Sequence, residues 1–558
     1  MVQKTILIIF IFIGIFLRIY QIEEVPPGLF ADEISLAINA KTIAQNGTDE
    51  YGNFFPFGFE AFTDYKYPGY IYPTAIIYKI LGPRTLTVRL VALISSIASI
   101  FLLGYLARLL FPKNKFLPYY AMVIISLSPF HLHFSRIAYE TMLATTLFTF
   151  WLVCFYKILS EEKVLRWFVL GTLVEIYASF TYPGIRLIIP VFLVIIATSL
   201  FLKPRPANKK QLVLTLLTFA IIIALTFLPS FLIPQLDRRP LSFVVGKSGQ
   251  ETWLQFYNSK LVNILASLLR TVNWEYLFLK GDLYAYRHGT KEMGLFLLLF
   301  FPSLVMGIIS LIKNFSFKNL GHFMLLALLI ATPLPSALST NLPYATRILP
   351  IVIPFTLIMA YGTDNMTTNL VSRYNLSGLR KSIIGSALCL LLFLQTLWLA
   401  HVYLVHFSQT SIPEFPAAPK KISQDIHEQL AKNPSTLIYF LNGYPCFRWS
   451  FDFLQLWYFA NLDNKQMIIW NNILRQKRLE SGLPFDSFDF IAYPQYQIGP
   501  VVLNSDIEGS AKIPSGSWIV RCGIHLPDIN PKTETIEKVY YLIDREKRDP
   551  FYVLSRKN

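Results

Sequence analysis

Charge is what this sequence is short of. Lys, Arg, Asp and Glu make up only 15% of the 558 residues, whereas ordinary soluble domains carry about one quarter. Hydrophobic residues make up 54%, and mean hydropathy is +0.46. That shortage excludes a string of soluble domains and makes the apolar runs read as transmembrane spans. Acids are scarcer than bases, 34 against 50, so the net charge is +16. Nucleic acid is not the expected partner, because the bases fall in short clusters between hydrophobic runs, where they set membrane orientation. Cysteine is scarce too: Cys154 and Cys389 lie in apolar spans, Cys446 and Cys522 in the C-terminal region. No spacing suits a zinc site. Outside the cytoplasm, Cys446 and Cys522 either bond to each other or remain two unconnected thiols. No internal repeat or low-complexity tract occurs. The first apolar run, Ile6 to Leu17, is not followed by a small-residue cleavage site; Arg18-Ile19-Tyr20 leads into Glu23-Glu24. An uncleaved first helix with a cytoplasmic N-terminus is therefore expected.

A span needs about 20 apolar residues. On that measure the chain offers eleven candidates, at 5–20, 85–111, 116–130, 138–158, 164–180, 185–202, 211–233, 293–312, 320–338, 347–361 and 382–405. Clusters of basic residues follow the even-numbered ones: Lys113 and Lys115; Lys203, Arg205, Lys209 and Lys210; Lys313 and Lys318; Arg373, Arg380 and Lys381. Those loops are expected in the cytoplasm. The other face then receives the loop 21–84, His131 to Arg136, Thr181 to Arg186, the loop 234–292, Ser339 to Arg347, and everything after about Phe407. The expected architecture is a polytopic α-helical membrane domain over 1–407 and an extracytoplasmic α/β domain over 408–558.

The first outer loop carries structure of its own. Ile34, Ala37, Ile38 and Ile43 recur at helical spacing, so a helix is expected over Ile34 to Ala44. Tyr70 to Leu81 is apolar and aromatic but too short to span, which fits an interfacial helix. In the C-terminal region, helices are expected over Lys420 to Lys432 and Trp449 to Ala460. Strands are expected over Thr436 to Phe440, Trp518 to Cys522, Val539 to Ile543 and Phe551 to Leu554.

The polar groups gather on the expected outer face. Asp32 and Glu33 open the first loop, and Asp64-Tyr65-Lys66-Tyr67-Pro68-Gly69 follows. Cations stand at the ends of distant spans: Arg136 in Phe134-Ser135-Arg136, Arg186 in Tyr182-Pro183-Gly184-Ile185-Arg186, and Arg347 in Pro343-Tyr344-Ala345-Thr346-Arg347. Arg287-His288 lies in the long loop. Acids to accept a proton and cations to hold an anion are what displacement of a phosphate leaving group requires. Each also has a plainer reading. Asp32 could serve only to cap a helix. The arginines could snorkel from span ends to the headgroups. Asp64 could pair locally with Lys66, and the tyrosines could belong to an interfacial belt.

These motifs, in this order and on one face, resemble the polyprenyl-phosphate-dependent glycosyltransferases of the GT-C class. Within that class they look like prokaryotic members of glycosyltransferase family 39, which include protein O-mannosyltransferases and lipid A aminoarabinose transferases. The resemblance rests on Asp32-Glu33, Asp64-Tyr65-Lys66-x-Pro68-x-x-x-Tyr72, Ser135-Arg136-x-Ala138, Thr181 to Arg186, Gly281-Asp282 through Arg287-His288-Gly289, and Leu342 to Arg347. It runs through roughly 5–400. It implies inverting transfer of a monosaccharide from a polyprenyl-phosphate donor to a hydroxyl of a protein, lipid or glycan. Asp32 matches the acid that deprotonates or orients the acceptor, Glu33 the acid that helps hold it, and Lys66 a lysine that contacts the donor phosphate. Arg136, Arg186 and Arg347 are expected to serve that phosphate too, with Asp64, Arg287 and His288 as further candidates. The chain departs from the aminoarabinose transferases in one place: they show Lys-Pro-Pro where it has Lys66-Tyr67-Pro68. No residue set marks a metal, and dependence on a divalent ion stays open. Rival readings are a lipid-linked oligosaccharide transferase or ligase of the same fold, and a lipid or polysaccharide transporter. Transporters keep ionisable groups near the bilayer midplane, and here the midspan regions are nearly free of charge, with Glu175 and Arg89 the notable exceptions.

Overall fold

The computed structural model describes residues 2–61, 64–160, 164–201, 219–233, 253–316, 319–338, 344–373, 378–442, 449–481, 495–498, 500–504, 513–522, 532–541 and 550–558. These fall into two compact units. One joins Met1–Tyr20 to Val91–His406; the other joins Gln21–Leu90 to Phe407–Asn558. The segment Gln21–Leu90 thus groups with the C-terminal residues.

The first unit is helical. Among the described residues, six helices are long and apolar enough to cross a membrane, with Leu117–Ser126, Gly184–Thr198 and Leu298–Asn314 as shorter apolar helices. The chain is an integral, multi-pass membrane protein. Its helices are α1 (Val2–Ile19), α4 (Thr85–Leu110), α5 (Leu117–Ser126), α6 (Pro129–Ser135), α7 (Glu140–Ser160), α8 (Val164–Ser179) and α9 (Gly184–Phe201), then Phe301–Asn314, Leu320–Ala331, Val352–Arg373 and Gly378–His401. With 26 residues, α4 runs about 39 Å at 1.5 Å per residue, longer than a hydrocarbon core of roughly 30 Å.

One expected span is broken. At 116–130 the chain forms α5 and then α6, because Ser128 caps a fresh helix by accepting from the His131 amide (3.1 Å) and Pro129 takes its first position. Such a pair starts a helix more readily than it continues one. The span expected at 211–233 is described only from Phe219 onward. In the segment read as the loop 234–292, a 19-residue helix occupies Trp253–Thr271.

Polar groups inside this unit bond to one another, as a low-dielectric layer demands. Arg18 is buried at the end of α1 and donates to the carbonyls of Gly14 (2.7 Å), Ser126 (2.6 Å) and Ile125 (3.2 Å). His131 bridges it to α4, with Nδ1 2.9 Å from Arg18 and Nε2 2.8 Å from the Ser99 hydroxyl. Glu175 accepts from Trp151 Nε1 (3.2 Å) and from the Thr226 hydroxyl. The helices Phe301–Asn314 and Val352–Arg373 meet through glycine: a Cβ on Gly362 would lie 1.8 Å from the Ser303 carbonyl oxygen, and one on Gly307 2.1 Å from that of Ile358. Small residues let two backbones approach that closely.

The second unit mixes helix and sheet. It opens with α2 (Ala31–Asn46), a hairpin of β1 (Phe59–Ala61) and β2 (Asp64–Lys66), and α3 (Pro68–Leu81). Gly47 ends α2 at φ +72°, in the left-handed conformation that glycine adopts without strain. Three further helices, Ala417–Lys432, Trp449–Phe459 and Asn464–Ser481, accompany a six-stranded sheet. Its strands are β3 (Ile438–Asn442), β4 (Gln495–Ile498), β5 (Val501–Asn504), β6 (Trp518–Cys522), β7 (Glu534–Tyr541) and β8 (Pro550–Lys557), in the order β4-β5-β3-β6-β8-β7. β3 runs parallel to β5 and β6; the other pairs are antiparallel. The expected strands recur near their predicted places, and the helix Asn464–Ser481 with β4 and β5 is additional. Cys446 and the side chain of Cys522, whose pairing the sequence left open, lie outside the described residues.

Lys41 ties α2 to the helix Trp449–Phe459. Its buried ammonium donates to the carbonyls of Trp457 (2.9 Å) and Leu462 (2.7 Å), the first of which also accepts from the Leu462 amide (3.2 Å).

Candidate active site

Asp32 and Glu33 occupy the first turn of α2. Free backbone N–H groups at a helix start favour carboxylates there, so this placement follows from the sequence. Successive helical residues point about 100° apart, and the two acids meet different fates. Asp32 forms an ion pair with Lys66, and its side chain stays 39% exposed against 13% for the lysine. The hairpin delivers that lysine: β2 ends at Lys66 in register with Phe59, and Pro68 starts α3 two residues later. Asp64 faces Ala61 in the same register.

Glu33 turns inward. Both it and Arg89 are 0% exposed and ion-paired at 3.0 Å. One Glu33 oxygen also accepts from the Phe30 amide (3.2 Å), the returning half of a capping box. The resemblance gave Glu33 an acceptor contact; here the carboxylate is packed away against an arginine that the sequence showed only as a charge within a span. Nearby, the Glu23 carboxyl is held below its ordinary value: burial pushes it up, but bonds from Arg84 (2.8 Å) and the Leu86 amide (3.2 Å) outweigh that.

In the helical unit a chain of contacts links most of the other predicted residues. Arg136 lies against the end of α1, where Nη1 donates to the carbonyls of Leu17 (2.6 Å), Arg18 (3.2 Å) and Tyr20 (2.7 Å). Its guanidinium sits 5.5 Å over the ring of Tyr403. The Tyr403 hydroxyl is 3.2 Å from His133 Nδ1, and His133 Nε2 is 3.0 Å from the carbonyl of Arg287. His288 is buried with Nδ1 2.9 Å from Asp282, whose carboxylate also accepts from the amides of Ala345 (3.2 Å) and Tyr284 (2.7 Å). The Tyr344 ring lies 4.6 Å from His288 and 5.0 Å beneath the Arg347 guanidinium. Tyr182, half-buried in the turn between α8 and α9, has its hydroxyl pushed up to about 12 by desolvation, with the Arg347 charge opposing. Arg186 donates to the Ser179 carbonyl (3.3 Å) and the Ser230 hydroxyl (3.0 Å).

Within this chain, Arg136 and Arg186 hold backbone at helix ends. Arg347 stacks on the Tyr344 ring, as a planar guanidinium does. The Asp282–His288 pair and His133 were missed as a linked set, because His133 meets Arg287 and Tyr403 across 154 and 270 positions. Glu140, buried at the start of α7 and close to Tyr182, was also missed. Among the described residues, no group of three or more His, Cys, Asp or Glu side chains is placed to hold a metal ion.

Solved structures supply the comparison. ArnT from Cupriavidus metallidurans in the apo state aligns with a TM-score of 0.51 and 12% identity, covering 100% of this chain and 98% of its own. The same protein bound to undecaprenyl phosphate gives a TM-score of 0.51 and 12% identity over 98% and 97%. An Archaeoglobus fulgidus oligosaccharyltransferase tethered with an acceptor peptide gives 0.49 and 14% over 82% and 63%, too weak to carry an argument. The full-length likeness shows the fold: this chain has a GT-C-like architecture. No family model matches the sequence, so family 39 in particular gains no support, and no curated protein matches either.

Proposed function

We propose that the protein is an inverting glycosyltransferase that moves a monosaccharide from a polyprenyl-phosphate donor to an acceptor hydroxyl at the outer face of the membrane. The observation that carries this reading is the Asp32–Lys66 pair: a half-exposed carboxylate at a helix start, held by a lysine from the neighbouring hairpin. Asp32 is the base. It takes the acceptor proton as the acceptor oxygen bonds to the anomeric carbon, and the bond from that carbon to the phosphate oxygen breaks on the opposite face. Lys66 keeps the base charged and offers its ammonium to the departing phosphate, which leaves as the polyprenyl phosphate anion. That ArnT was solved with undecaprenyl phosphate supports this donor class.

A transporter reading loses its footing, because the charges found inside spans are internally satisfied: Glu175 by Trp151 and Thr226, Arg89 by Glu33. The test is to supply membranes containing the protein with a polyprenyl-phosphate sugar of defined anomeric configuration. Release of polyprenyl phosphate with a product of inverted configuration is expected. Retained configuration, or no consumption of donor beyond that of control membranes, overturns the proposal.

A further inference from the structure

We infer that Glu33 and Arg89 form a buried positioning pair that fixes the carboxylate of Asp32, and that Glu33 does not touch the acceptor. The inference rests on Asp32 being the base. Arg89 uses all five of its N–H donors on a single stretch of chain. Nε donates to Glu33 Oε1 (3.0 Å); Nη1 donates to the carbonyls of Ile22 (2.8 Å) and Pro26 (2.9 Å); Nη2 donates to the carbonyl of Gly28 (2.6 Å) and to Glu33 Oε2 (3.3 Å). Oε2 closes the circuit by accepting from the Phe30 amide. One guanidinium therefore gathers three carbonyls from the approach to α2 together with the residue next to Asp32. Gly28 allows this close fold, since a Cβ there would lie 2.0 Å from the Pro416 carbonyl oxygen.

Burial decides between contact and positioning. At 0% exposure for both side chains, neither can meet an acceptor hydroxyl without the network opening. What the network controls is where the first turn of α2 begins, and hence where Asp32 stands relative to Lys66. A misplacement of about 1 Å in a reacting group can cost about 100-fold in rate. Lysine in place of Arg89 keeps the charge but offers three donors for five acceptor positions, so the conservative change is disruptive here.

The test compares Glu33→Gln, which keeps an oxygen for the Phe30 amide, with Arg89→Lys, both in the full chain in lipid vesicles. Rates are normalised to titrated donor-binding sites so that unfolded protein does not count. Both variants are expected to lose about 10- to 100-fold in kcat, with KM for donor and acceptor within about twofold of wild type. The acid limb of the pH–rate profile should move upward as Asp32 loses its hold on Lys66. A tenfold rise in acceptor KM with kcat preserved assigns Glu33 to the acceptor and overturns the inference, and so does an unmoved acid limb. Asp32→Asn is run in parallel. If that variant keeps full transfer, the reading of Asp32 as base fails by itself, whatever the Glu33 and Arg89 variants do.

Discussion

Replacing Lys66 by glutamine separates a structural salt bridge from a working one. The pair it forms with Asp32 is partly solvent-exposed, the carboxylate at 39% and the lysine at 13%. Pairs of that kind contribute about 0.2–1 kcal/mol to stability. Losing the lysine therefore lowers the melting temperature by only a few degrees. If the ammonium also meets the donor phosphate, the variant forfeits a charge-assisted hydrogen bond worth about 1.5–3 kcal/mol. At 1.4 kcal/mol per tenfold, that is roughly a 10- to 150-fold rise in donor KM. The assay is steady-state transfer in lipid vesicles with donor varied at saturating acceptor, beside a thermal melt of the same preparation. A donor KM within twofold of wild type would refute the phosphate role. A stability loss above about 3 kcal/mol would show instead that the bridge is chiefly structural.

Other outcomes follow from particular contacts. Glu50 is buried beside Asp49, and burial with that neighbouring charge pushes its carboxyl from 4.5 up to about 8. A raised folded value means that its stabilising protonated form is fully present below pH 4.5 and lost as pH rises through about 8. Glu50→Gln should flatten that part of the melting-temperature profile, and an unchanged slope would remove Glu50 as its source. Lys41→Met removes the ammonium from the Leu462 carbonyl, while the Trp457 carbonyl keeps the Leu462 amide, so about 1–3 kcal/mol should be lost in a denaturant titration; no loss would mean that water replaces the ammonium freely. Gly362→Ala puts a methyl group 1.8 Å from the Ser303 carbonyl. Spreading the two helices should cost at least about 1–3 kcal/mol, read as a lower midpoint of thermal inactivation in detergent. An unshifted midpoint would contradict the close crossing.

How much of this was legible in the sequence depends on the range of the interaction. The span in α4 announces itself, since a run of 26 mostly apolar residues needs no partner to be recognised. The presence of α2 was readable because its apolar spacing is local, although the helix begins at Ala31 and takes both acids into its first turn instead of starting at Ile34. The ending of α5 at Ser128-Pro129 was written in capping chemistry, but hydropathy averaged over a window hides a two-residue signal. The helix Trp253–Thr271 escaped because Gln255, Asn258, Lys260 and Asn263 dilute its hydropathy below that of a span. β4 and β5, at four residues each, carry too little pattern to stand out before their neighbours are known. At the candidate site, residue types were visible and pairings were not. Glu33 and Arg89 are 56 positions apart, and Arg89 looked like a stray charge in a membrane helix. The contact of His133 with Arg287 spans 154 positions. Long-range side-chain partners are a property of packing, which a single sequence does not display.

The most direct measurement is the initial rate of sugar transfer by purified protein in lipid vesicles, wild type against Asp32→Asn, with donor binding measured alongside. Loss of a general base predicts transfer about 100- to 10,000-fold slower with donor affinity unchanged. A variant that transfers sugar within twofold of wild type would contradict the role given to that carboxylate.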